Sequence, residues 1–211
     1  MKLQCLIFDV DGTLVDNANL IIRLFQDIVK KYLGREMSKQ DVVSLWGPPG
    51  DEIFKSVFPS DVLAPAWEEF LTCYNEIHPT KGFFTTDQLN EMKTYVQYLA
   101  IFTGKSRKTM TLTLQKLGLT PIFDLVLTGN DVERSKPYPD ALYQIIGVLH
   151  LNKNQTLFIG DSPLDVMAGK AAGIKTAAAL WGTIEESKLL ETLPDYVFKT
   201  PEEFMYFIST K

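Results

Sequence analysis

The 211-residue sequence is poor in the residues that build disulfide or zinc frameworks. It contains two cysteines, Cys5 and Cys73, and two histidines, His78 and His150. Two cysteines this far apart predict no disulfide framework, and with two distant histidines they do not form a zinc site of usual spacing. Scarce cysteine is typical of a reducing compartment, so we expect a cytoplasmic protein.

The sequence also lacks a surplus of positive charge and a long apolar run. Its formal net charge is -5, which argues against a broad basic surface for nucleic acid or anionic membrane. The first apolar run breaks at once into acidic residues, unlike a signal peptide, and no run approaches the roughly eighteen apolar residues that span a membrane. We therefore expect neither a nucleic-acid nor a membrane partner.

Short apolar segments alternate with helical segments through most of the chain. This alternation predicts an α/β fold with a doubly wound parallel sheet. Between residues 17 and 79 no strand is apparent, and apolar residues recur at helical spacing, which predicts an all-helical insertion. The main strands are predicted at 3–8, 96–103, 124–129, 156–161 and 175–180. The helices of the insertion are predicted at 21–32, 38–46 and 67–77, and a further helix is predicted to follow a loop within 47–58.

The first predicted strand ends in "LIFDVDGTLVD", where two acids follow the apolar run. Asp9 and Asp11 are two residues apart and so share one face of the strand end. At roughly 6.5 Å and an effective dielectric constant near 20, their repulsion is about 2.5 kcal/mol. A folded protein tolerates such a pair when a cation or a proton lies nearby.

Polar residues also follow the later strands, and the carboxyl ends of parallel strands form the binding edge of such a sheet. Thr103 and Gly104 follow the second strand, Lys136 follows the third, and Asp161 and Asp165 follow the fourth. Oxygen ligands without histidine or cysteine suit Mg²⁺. A glycine at a helix start and a lysine suit phosphate oxygens. The sequence therefore predicts phosphate chemistry.

Four segments, "DVDGTLVD", "IFTGKS", "SKPYPD" and "GDSPLD", resemble in order the four motifs of the haloacid dehalogenase superfamily, in its phosphatase branch. The resemblance covers nearly the whole chain. The helical insertion resembles the cap domain of the phosphoglycolate phosphatase and β-phosphoglucomutase group. It implies a Rossmann-like catalytic core at 1–15 and 80–211 and a helical cap domain at 16–79.

The resemblance also implies a role for each matched residue. Asp9 would be the nucleophile that forms an aspartyl-phosphate, and Asp11 the general acid and base. Asp9, Asp161 and the backbone carbonyl of Asp11 would bind Mg²⁺. Asp165 would hold metal-bound water or orient Lys136, which stabilises negative charge on the phosphate. Residues implied to bind substrate are Gly12, Thr103, Gly104 and Lys136, together with Gly47 and Pro48 of the cap loop "WGPPGDE".

We therefore expect a Mg²⁺-dependent phosphatase acting on a small soluble phosphate monoester, as a monomer or a homodimer. Asp11 disfavours a dehalogenase, because related dehalogenases lack an acid there. A phosphomutase is an alternative, disfavoured because Ile21 and its neighbours provide no cap histidine. An inorganic pyrophosphatase is another, although Asp51 and Glu52 lie where some relatives carry an arginine. A non-catalytic binding protein would usually have lost the nucleophile or the general acid.

Overall fold

The computed structural model describes residues 2–210, and its central feature is a parallel sheet of six strands in the order β3-β2-β1-β4-β5-β6. The first strand is central: Cys5 pairs in register with Tyr98 on one side and with Thr156 on the other. This confirms the predicted fold class. The strands are β1 (Cys5–Phe8), β2 (Tyr98–Phe102), β3 (Leu125–Leu127), β4 (Thr156–Gly160), β5 (Lys175–Ala179) and β6 (Tyr196–Phe198).

Ten α-helices surround or extend this sheet within residues 2–210. None of these helices is long and apolar enough to cross a membrane. They are α1 (Ala18–Leu33), α2 (Lys39–Ser44), α3 (Gly50–Val57), α4 (Ser60–Ile77), α5 (Thr86–Tyr95), α6 (Arg107–Leu117), α7 (Asp140–Val148), α8 (Pro163–Ala172), α9 (Glu186–Glu191) and α10 (Pro201–Ser209).

The helix α4 is longer than the sequence predicts. It begins at Ser60, not at residue 67, and it contains Pro65. Pro65 lacks the backbone N–H that would donate to the Asp61 carbonyl, so its place in α4 costs one hydrogen bond within the helix. The prediction also omitted α5 and α9, which are short and bury few residues: Leu89 and Met92 in α5, and Leu189 in α9. Their apolar periodicity was too weak to detect.

The core lies on both faces of the sheet. Alternation along β1 sends Leu6 and Phe8 to one face and Cys5 and Ile7 to the other, and all four are fully buried. On the first face, Phe8 meets Phe204 of α10 edge to face, with ring centroids 5.9 Å apart. Apolar residues on both sides explain why β1 reads as a continuous apolar run.

The four helices α1 to α4 enclose a separate apolar cluster, called here the aromatic cluster because five of its eleven buried residues are aromatic. Phe54 lies at its centre, stacked on Phe58 at 4.9 Å and edge to face with Phe25 at 5.2 Å. The chain returns to the sheet near residue 83, where the Phe83 amide donates to the Leu14 carbonyl. The division into a core and a cap at 16–79 stays a prediction, which this separate cluster supports.

Candidate active site

The carboxyl end of β1 places Asp9 beside a buried lysine. Lys136 Nζ donates to Asp9 Oδ1 at 2.7 Å and to Asp165 Oδ1 at 2.6 Å. The ammonium also lies 5.0 Å from the ring centroid of Phe102. Burial by itself would lower the pKa of Lys136, but the two carboxylates raise it, so the lysine is charged at neutral pH.

Three buried carboxylates meet at this point. Asp9, Asp161 and Asp165 each offer an oxygen, and these oxygens lie within 4.8 Å of one another. Burial raises the pKa of Asp9 to about 6 despite the opposing effect of Lys136. Burial, followed by repulsion from Asp9, raises the pKa of Asp161 well above its ordinary 3.8. One ammonium does not balance three carboxylates, and an all-oxygen donor set with excess negative charge fits a hard divalent cation.

The two oxygens of Asp165 already have hydrogen-bond donors. Oδ1 accepts from Lys136, while Oδ2 accepts from the Ser162 amide at 3.0 Å and the Ser162 hydroxyl at 2.6 Å. This capping arrangement at the start of α8 fixes the carboxylate in place. Of the two roles implied for Asp165, the geometry favours orienting Lys136 over holding metal-bound water.

Asp161 is held from the loop after β1. Thr13 Oγ1 donates to Asp161 Oδ1 at 3.0 Å. Gly12 adopts a φ of 79°, and a Cβ there would lie 2.2 Å from Asp161 Oδ2. Gly12, expected to bind substrate, thus packs against Asp161, and among the described residues it is not part of the pocket lining. The sequence alone does not distinguish Thr13, because a threonine that follows a glycine in a turn is an ordinary turn residue.

Asp11 faces a second buried lysine. Lys105 Nζ donates to both carboxylate oxygens of Asp11, at 2.7 and 2.9 Å, and Asn17 Nδ2 donates to Oδ1 at 2.6 Å. Burial would lower the pKa of Lys105, but Asp11 raises it. The sequence alone indicates no role for Lys105 or Asn17. A single lysine after "FTG" looks like a surface lysine, and only the fold reveals that it is buried.

The remaining predicted residues come together around one pocket of about 150 Å³. Thr103 lies at its base, and its Oγ1 accepts from the Lys105 amide, so its hydroxyl hydrogen is free to donate to a ligand. A Cβ on Gly104 would lie 3.4 Å from the Gly47 carbonyl, which is ordinary van der Waals distance, so the loop that carries Gly47 lies directly beside Gly104. Asp9, Asp11, Gly47, Pro48, Thr103, Gly104, Lys136 and Asp161 all line the pocket.

The wall of the pocket opposite these polar groups is apolar. It is formed by Ile21, Trp46, Ile53 and Phe70 of the helical insertion. Trp46 packs against the aromatic cluster and also lines the pocket. The pocket therefore combines a polar, charged floor with an apolar roof.

Comparison with known proteins agrees with this geometry. Residues 6–179 match the haloacid dehalogenase-like hydrolase family, and the chain belongs to that family. It is an enzyme that hydrolyses phosphate esters.

Individual relatives cover nearly the whole chain. A pyrophosphatase PpaX from Bacillus mycoides is 31% identical, over 99% of this chain and 98% of its own. A predicted phosphoglycolate phosphatase from Haemophilus somnus superposes with a TM-score of 0.80 at 21% identity, covering 98% of each chain. A haloacid dehalogenase-like hydrolase from Streptococcus pneumoniae has a TM-score of 0.74 at 25% identity, again covering 98% of each chain.

Proposed function

We propose that the protein is a Mg²⁺-dependent phosphatase that hydrolyses a small phosphate monoester through an aspartyl-phosphate at Asp9. The observation that carries the proposal is the pair of carboxylates at the end of β1. Asp9 contacts Lys136 and the carboxylate cluster, whereas Asp11 contacts Lys105, and both face one pocket. Two acids in such different surroundings suit two different tasks at one phosphorus.

The first step joins Asp9 to the substrate. An Oδ atom of Asp9 attacks phosphorus while the bond from phosphorus to the ester oxygen breaks, and Asp11 donates a proton to the leaving oxygen. In the second step a water molecule attacks the phosphorus of the aspartyl-phosphate, and Asp11 takes its proton. Phosphate leaves and the Asp9 carboxylate is restored. Thr103 and Lys136 would hold phosphate oxygens throughout, which stabilises the charge of the transition state.

The donor set described above fits Mg²⁺. Asp9 and Asp161 would hold the ion with their side chains and Asp11 with its backbone carbonyl, while Asp165 keeps Lys136 oriented. When bound, the ion would neutralise the carboxylates and the phosphate oxygens. The helical segment 16–79 would act as a cap that closes the apolar roof over the substrate and excludes water.

The pocket volume of about 150 Å³ suits a small substrate. An apolar roof suits a leaving group with little charge, such as a small alcohol or sugar. Inorganic pyrophosphate is the second candidate, favoured by the 31% identity to a protein named pyrophosphatase PpaX. Lys105, buried beside Asp11 in the pocket lining, is the cation that a second phosphate could approach.

The test is phosphate release from a panel of hexose and triose phosphates, phosphoglycolate, nucleotides, pyrophosphate and an aryl phosphate, with and without Mg²⁺. We expect turnover to require Mg²⁺ and to disappear in Asp9→Asn. Asp16→Asn is the matched control, because this exposed acid belongs to the same sequence motif but does not line the pocket. Turnover that persists in Asp9→Asn would refute the proposed nucleophile. A preference for pyrophosphate over the monoesters would show that the protein is a pyrophosphatase, the second candidate.

A further inference from the structure

A chain of buried hydrogen bonds leads away from Asp11, and the proposed mechanism does not use it. Lys105 Nζ, which holds Asp11, also donates to Tyr74 Oη at 2.8 Å. Tyr74 Oη lies 3.0 Å from Thr113 Oγ1, and Thr113 Oγ1 lies 3.0 Å from His78 Nε2. Each of these side chains is at most 7% exposed apart from Asp11 itself.

Lys105, at one end of this chain, determines which atom donates and which accepts in each hydrogen bond. Lysine can only donate, so Tyr74 Oη accepts from Lys105, as it does from Asn17 Nδ2 at 3.2 Å. The Tyr74 hydroxyl hydrogen is then available to Thr113, and the Thr113 hydrogen to His78 Nε2. Burial lowers the pKa of His78, which keeps the ring neutral, and its Nδ1 donates to the Pro79 carbonyl at 2.6 Å. The hydrogen bonds of the chain therefore all run from donor to acceptor in the same direction, from Lys105 towards His78.

The members of the chain come from different parts of the molecule. Tyr74 belongs to α4 of the helical insertion, whereas Lys105 follows β2 and Thr113 belongs to α6 beside the sheet. Asn17 and His78 lie at the two ends of the insertion, where the chain leaves the sheet region and returns to it. The Lys105–Tyr74 bond therefore forms only when α4 is seated against α6, whereas the Lys105–Asp11 bonds join residues that both follow strands of the sheet.

We propose that Lys105 and Tyr74 are positioning residues that orient Asp11 toward the leaving oxygen, with Tyr74 acting from the helical insertion through the Lys105 ammonium. The inference rests on the proposed role of Asp11 as general acid. Lys105 grips both oxygens of Asp11, and Tyr74 fixes the ammonium from the opposite side, with its ring centroid 4.9 Å from Nζ. Without the Tyr74 hydroxyl, the ammonium loses one of its acceptors and is held less firmly against Asp11.

The test compares two esters of similar size that differ in their need for an acid: phenyl phosphate, with a poor leaving group, and p-nitrophenyl phosphate, with a good one. The ratio kcat/KM reports on formation of the aspartyl-phosphate alone. In Tyr74→Phe we expect kcat/KM to fall about tenfold for phenyl phosphate and less than about twofold for p-nitrophenyl phosphate, since general acids contribute most with poor leaving groups. Lys105→Met should show the same selective loss, and larger.

Two reference variants make the result decisive. Tyr143→Phe is the matched control, because it removes a phenolic hydroxyl that bonds the Ala171 carbonyl far from the pocket, and it should change neither ester. Asp11→Asn should change the ratio of kcat/KM between the two esters more than any other variant does. If Asp11→Asn shifts the ratio and Tyr74→Phe lowers both esters equally, the positioning role is wrong while the proposed function stands.

Two further results would also overturn the inference. If Asp11→Asn leaves the ratio of the two esters unchanged, Asp11 is not the general acid, and the positioning role fails with it. If Lys105→Met raises KM equally for both esters without changing their ratio, Lys105 binds substrate directly and does not act through Asp11.

Discussion

The buried carboxyl of Asp9 should make the metal-free protein less stable as the pH rises. Its pKa is about 6, compared with an ordinary value of 3.8, because burial disfavours the charged form. The folded protein thus binds this proton more tightly than the unfolded chain. This tighter proton binding adds about 3 kcal/mol to the free energy of unfolding below pH 3.8. The added stability is lost as the pH rises through 6. About half of this loss falls between pH 5 and pH 7.5.

The assay is urea unfolding of the wild type and of Asp9→Asn, in EDTA, at pH 5 and pH 7.5. Asparagine does not ionise, so the variant should gain about 1.5 kcal/mol relative to the wild type between the two pH values. The comparison cancels the titrating groups that do not interact with Asp9, including His78. Saturating Mg²⁺ should favour the ionised carboxylate and stabilise the wild type more at pH 7.5 than at pH 5. An identical difference between variant and wild type at both pH values would refute the reasoning.

Three further substitutions test the surroundings of the site. Lys136→Met leaves Asp9 and Asp165 without their shared ammonium, so kcat for an aryl phosphate should fall about 100-fold or more, and a loss below about threefold would contradict its role. Thr13→Val removes the donor to Asp161, and the Mg²⁺ concentration for half-maximal activity should rise about tenfold; an unchanged Mg²⁺ titration would count against that contact. Gly12→Ala combines a positive φ with overlap on Asp161, so the Tm should fall by several degrees, and an unchanged Tm in a thermal unfolding scan would show that the loop relaxes.

The sheet and the convergence of the acids could be predicted because they depend on local signals. An apolar run that ends in "DVDG" marks both a doubly covered strand and the polar residues at its end. The carboxyl ends of parallel strands meet at one edge of the sheet. Asp9, Thr103 and Asp161 could therefore be placed together because each directly follows a predicted strand or ends it. Helix caps at Ser38 and Gly34 likewise carry a local signature, and the structure has them.

The surroundings of Asp11 could not be predicted, because they depend on contacts between residues distant in sequence. Lys105 and Asp11 are 94 positions apart, and Lys105 and Tyr74 are 31 apart. Nothing local distinguishes Tyr74 from other aromatic residues of α4, whose spacing indicates only a buried helix face. The early start of α4 was missed for a different reason: Pro65 is unfavourable in most helices, and packing of Ala66 and Phe70 into the aromatic cluster outweighs it here.

The central claim is that Asp9 becomes phosphorylated, and trapping the intermediate tests it most directly. The enzyme is mixed with Mg²⁺ and an aryl phosphate, quenched rapidly and treated with borohydride, which reduces an aspartyl-phosphate to homoserine. The tryptic peptide spanning residues 3–23, which contains both Asp9 and Asp11, is then sequenced by mass spectrometry. We expect homoserine at position 9 only, and only when substrate and Mg²⁺ are present. Homoserine at position 11, or an unmodified peptide from an enzyme that is turning over, would contradict the account.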